Sequence, residues 1–125
     1  MQLLAPGVRW PLPPLLDDEA VVRQARATWS RRGIGRGGTL VLTPARVVFE
    51  PNTFEADIGL RRRVWLLTEV RRAGLASRRP TLFDGGLRRR LALLTADGRT
   101  ERFVVAEPAA FAAEIDRAAA AARRR

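Results

Sequence analysis

Arginine carries the recognisable chemistry of this sequence. All 23 basic residues among its 125 are arginine, set against 13 acidic ones for a formal charge of +10. They gather in runs: Arg31, Arg32 and Arg36 around Gly33 and Gly35, then Arg61, Arg62 and Arg63, Arg78 and Arg79, and Arg88, Arg89 and Arg90. A guanidinium presents its donors in a planar fork that matches the oxygens of a phosphate or carboxylate two at a time. Glycines between the arginines let backbone N–H groups approach the same anion. The chemistry to expect is capture of an anionic group, with Arg31, Arg32, Arg36, Arg61, Arg62, Arg63, Arg88 and Arg90 as candidate contacts. The bland alternative is a solvated loop in a chain that uses arginine for every cation.

What is missing narrows the field further. The chain has no His, Cys, Tyr or Lys, which removes the Ser-His and Cys-His pairs, the Schiff-base and P-loop lysines, and imidazole or thiolate metal ligands. Ser30 and Ser77 have no base to activate them. Asp17, Asp18 and Glu19 are adjacent in a turn, where acids face water rather than converge on a cation. No catalytic residue, metal set or cofactor is expected, and the chain reads as a non-enzyme. No stretch approaches the ~18 apolar residues needed to span a bilayer. The start lacks a basic run, and Pro6 breaks its apolar stretch, so it makes a poor signal peptide. A cytoplasmic protein is the expectation, with the inner face of the membrane as a place of attachment.

These arginines need a frame, and the clearest piece of it is residues 38–51, Gly-Thr-Leu-Val-Leu-Thr-Pro-Ala-Arg-Val-Val-Phe-Glu-Pro. Leu40 and Leu42 alternate with Thr39, Val41 and Thr43. A Thr-Pro-Ala-Arg turn follows, and Val47 and Phe49 then alternate with Arg46, Val48 and Glu50, which predicts a hairpin with one shared apolar face. Before it, residues 1–16 form an extended arm whose Leu, Val and Trp side chains favour lying on the domain, which occupies residues 17–125. Residues 21–31 read as a first strand with Val21, Ala25, Ala27 and Trp29 inward, although Arg23 falls on that apolar side and the composition also suits a helix. Residues 31–38 read as a flexible basic loop and 52–63 as a second connection. Strands are expected at 64–67 and around Val70, Ala73 and Leu75, then an irregular stretch over 76–86, and a second hairpin over 87–105 turning at Asp97-Gly98. Pro108 opens a helix to about residue 122, with Phe111, Ile115, Ala118, Ala119 and Ala122 on one stripe.

Residues 38–51 resemble the signature of the GRAM domain, a member of the pleckstrin-homology-like superfold. The resemblance covers residues of roughly 19–120, with its specific part in the hairpin, and leaves the arm outside. It implies a mainly β fold, a partly open barrel or sandwich of six to seven antiparallel strands closed by one C-terminal α-helix, in which the loop between the first two strands commonly meets anionic headgroups. The function implied is that of a binding or scaffolding module. A protein or peptide partner is the first expectation, through a sheet edge or the arm, and attachment to an anionic membrane through the arginines is the second. Nucleic acid is the least supported, because few aromatics are left for stacking. Arginines gathered on one face favour lipid or nucleic acid, and arginines scattered among acids favour the protein.

Overall fold

The period-two alternation between residues 23 and 51 folds as three antiparallel strands. The computed structural model describes residues 7–76 and 89–125. In it β1 (Arg23–Arg31), β2 (Ile34–Leu42) and β3 (Arg46–Pro51) lead into a short helix α1 (Thr53–Asp57), then β4 (Arg63–Leu66) and a 3-10 turn (Leu67–Glu69). After that come β5 (Val70–Ala76), β6 (Arg90–Thr95), β7 (Thr100–Val105) and the C-terminal helix α2 (Pro108–Arg123). The seven strands form one antiparallel sheet in the order β4-β3-β2-β1-β7-β6-β5. Trp65 on β4 and Phe103 on β7 are separated by three intervening strands, yet their rings lie 5.7 Å apart, so the sheet curls over itself. The result is a mainly β, partly open barrel of the pleckstrin-homology-like kind with one long C-terminal helix.

Side chains from both halves of the curl make one core: Trp29, Leu40, Leu42, Val47, Phe49, Trp65, Leu67, Leu91, Leu93 and Phe103, with Phe111, Ile115, Ala119 and Ala122 of α2 closing it. Arg23, out of place in the β1 pattern, lies with its guanidinium 5.5 Å from the Phe111 ring centre and pairs with Glu114 of α2. A long side chain on the apolar side of β1 thereby becomes a link to the helix.

The structure corrects several sequence expectations. Residues 31–38 are not a flexible loop: β2 begins at Ile34, and the connection is the two residues Arg32 and Gly33 at φ 51° and 79°. Two positive φ values suit the right-handed twist of a two-residue hairpin turn. Gly38 serves close approach instead, since a Cβ there would stand 2.5 Å from the Glu50 carbonyl oxygen and 2.5 Å from the Phe49 ring. The 52–63 connection contains α1. The expected irregular stretch falls, apart from Ala76, on residues outside those described.

Glu19 also departs from expectation. Its side chain is nearly inaccessible, and it binds the hairpin turn. Its carboxylate accepts from Arg46 Nε and Nη2, both at 2.8 Å, from the Thr43 hydroxyl at 2.7 Å and from Leu16 N at 2.9 Å. Thr43 Oγ1 in turn accepts from the N–H groups of Ala45 and Arg46. The Thr and Arg of the hairpin signature are the two sides of this clamp.

The described part of the arm packs against the outer face of β1, β2 and β3. Arg26 stacks over Trp10 at 4.8 Å, Trp10 lies against Gly37, and Arg46 donates to the Pro14 carbonyl at 2.9 Å. Val41 and Val48 belong to that same outward face and are fully buried, although they stand apart from the core cluster.

Candidate functional site

The tip of the β1-β2 hairpin and the chain leaving α1 form the two walls of an open cleft of about 460 Å³. Arg31, Arg32, Ile34 and Arg36 line one wall, and Ile58, Gly59 and Leu60 line the other. The tight turn fixes Arg31 at the end of β1 and Arg32 in the turn itself, so both guanidiniums start from rigid backbone. Ile34 and Ile58 are 52% and 58% exposed, which sets apolar side chains at the mouth among cations.

The far wall is built from α1. Asn52 caps the helix by accepting from Glu55 N at 2.8 Å, and Asn52 N donates to the Gly37 carbonyl at 3.1 Å. Glu55 accepts from Gly37 N at 3.1 Å and from Arg36 at 3.4 Å. Part of the Arg36 charge is therefore spent inside the wall. Arg31 and Arg32 form no ion pair among the described residues.

The second run of arginines divides by role. Arg61 is exposed directly after Leu60, adding charge beside the cleft. Arg62 pairs with Glu50. Arg63 turns to the inner side of β4, its guanidinium 5.5 Å from the Trp29 ring centre and 5.4 Å from that of Trp65, while Arg31 stands 4.7 Å from Trp29. Trp29 itself is fully buried and donates from Nε1 to Glu101 at 3.1 Å. The indole is core that carries cations at its rim.

Arg90 does not join this surface. It lies on β6, in the other half of the sheet, and is 2% exposed, so it is corrected from a surface contact to a buried side chain. Arg88 lies outside the described residues. Of the eight expected contacts, the structure thus brings Arg31, Arg32 and Arg36 into one cleft and sets Arg61 beside it.

The sequence reading missed the apolar half of the site. Ile58 caps the C-terminal end of α1 and enters the cleft from there, in a stretch read as a plain connection. Ile34 sits between two glycines in a basic run, and nothing in its neighbours marks it as exposed. Among the described residues no three acidic groups converge as a metal site would need, and no helix is long and apolar enough to cross a membrane.

No protein-family model and no curated protein matches this sequence. Among solved structures, the chain is similar to the C-terminal domain of an unknown protein from Leishmania infantum, with a TM-score of 0.59 and 13% identity over 82% of this chain and 86% of that one. At that identity the likeness is one of fold.

Proposed function

We propose that this chain is a non-enzymatic binding module that attaches peripherally to an anionic membrane surface through the β1-β2 cleft. The observation that carries this reading is the pairing, within one cleft, of Arg31 and Arg32 with the exposed Ile34 and Ile58. Basic side chains near an anionic leaflet each contribute roughly 1 kcal/mol, and apolar side chains at the same tip gain by leaving water for the interface. The resemblance of residues 38–51 to the GRAM signature supports a binding module of this type, and the gathering of arginines favours lipid over protein.

Flotation with vesicles tests it. The protein should float with vesicles rich in anionic lipid at low salt, stay behind with neutral ones, and be released as salt rises. Arg31→Glu, Arg32→Glu and Arg61→Glu together should weaken binding by roughly 3 kcal/mol or more, since each change removes an attraction and adds a repulsion. Arg36 is left intact because it braces Glu55. Failure of the unaltered protein to float with anionic vesicles at low salt overturns the reading. A protein or peptide partner would then take its place, favoured by β4, which ends the sheet and exposes Val64 and Leu66.

A further inference from the structure

The far wall of the cleft is anchored at Leu60, which packs against the core, but the helix leading into it has little of its own to hold it. Helix α1 is five residues long and buries one side chain, Glu55, and a helix that short has no stability in isolation. Its fixings are the Asn52 cap, the Glu55 contacts with β2, and the arm. Arg9 and Thr53 bind reciprocally, Arg9 N donating to Thr53 Oγ1 at 2.8 Å and Thr53 N donating to the Arg9 carbonyl at 2.9 Å. Trp10 follows directly. A Cβ on Gly37 would stand 3.1 Å from the Trp10 ring and 2.7 Å from Asn52 Nδ2, so glycine lets β2, the ring and the helix cap meet at one point.

From this arrangement, and resting on the reading of the cleft given above, we propose that the N-terminal arm is a positioning element for the site. Trp10 and the Arg9-Thr53 pair hold α1 against β2, and α1 holds Ile58, Gly59 and Leu60 opposite the arginines. When the arm lifts, Thr53 loses both of its hydrogen bonds to Arg9, the Asn52 cap loses its cover, and the Ile58 end of the wall is released. The arm touches none of the arginines lining the cleft in any hydrogen bond or ring contact of the described residues, so its effect passes through α1. The Trp10 indole N–H is buried without a partner among those residues, which makes the ring's packing, not its N–H, the source of the hold. Phenylalanine should therefore serve in its place, and alanine should not.

Hydrogen exchange on the full chain, without vesicles, reads the first link. Trp10→Ala should speed exchange of the amides in residues 53–60 about tenfold or more while β6, β7 and α2 keep their rates, and Trp10→Phe should restore protection. Thr53→Val, which removes the acceptor for Arg9 N and keeps the shape, should act in the same direction. The second link is read by anionic vesicle affinity, which should fall several-fold in Trp10→Ala and recover in Trp10→Phe. Unchanged exchange over 53–60 in both Trp10→Ala and Thr53→Val overturns the proposal. So does uniform acceleration across the fold, which would mark the arm as general ballast, and so does faster exchange at 53–60 with vesicle affinity intact. If the unaltered protein binds no vesicle, the membrane reading fails, whereas the exchange rates still decide whether the arm holds α1.

Discussion

One carboxylate, Glu19, ties the end of the arm to the turn of the β2-β3 hairpin. The hydrogen bonds from Arg46 are the largest cause holding its carboxyl down from 4.5 to about 2, against the cost of burial and with help from Leu16 N and Thr43. A carboxylate held low in the folded state stabilises fully above its unfolded value and loses that contribution as pH falls toward the folded one. Glu19→Gln should therefore lower the unfolding free energy at pH 7 by roughly 2 to 3 kcal/mol. The gap to the unaltered protein should close as pH drops from about 4.5 to about 2, and denaturant titrations at several pH values would show whether it does. Gly38 gives a second test. With the Glu50 carbonyl 2.5 Å from where its Cβ would be, Gly38→Ala should cost roughly 1 to 3 kcal/mol by overpacking, measured the same way. Both residues also show where the sequence stopped being legible. Three adjacent acids look alike until one of them finds Arg46, 27 residues away in the chain, and a glycine required by a neighbouring backbone is written the same way as one that loosens a loop.

Helix α2 shows an element whose role could be read in advance. Of its stripe, Phe111, Ile115, Ala119 and Ala122 are buried and Ala118 is partly buried against the core, and Phe111 is fully inaccessible. Phe111→Ala should cost roughly 3 to 5 kcal/mol, and a loss below about 1 kcal/mol in equilibrium unfolding would mean that the helix does not close the barrel. The hairpins were legible for the same reason, because alternation over residues 40–49 and the Asp97-Gly98 turn are local signals. The candidate site was legible by half. Clustered arginines announce themselves in sequence, but the wall they face depends on a five-residue helix capped by Asn52, and its position is set by strands and an arm distant in the chain. Arg90 shows the converse: a basic run says nothing about which of its members the fold covers.

At the scale of the whole molecule, a charge of +10 on 125 residues acts on two properties with opposite sign. Self-repulsion destabilises the compact state, so raising salt from about 10 to about 150 mM should stabilise the protein modestly in thermal melts while it weakens attachment to anionic vesicles. Parallel weakening of both would trace the loss of attachment to unfolding rather than to screened attraction. The two ends of the sheet also differ. At β5, side chains of α2 bind part of the border: Asp116 accepts from Ala73 N at 2.7 Å, and Arg123 donates to the Val70 carbonyl at 2.7 Å. At β4 no further strand pairs among the described residues, and Val64 and Leu66 are exposed beside that border. Strand-by-strand growth between copies is a matter of valence, and a fibre needs units with two free ends. The two groups that α2 binds at β5 are not open to such pairing, so among the described residues a joining strand meets less in its way at β4, and the joining consumes the end it used.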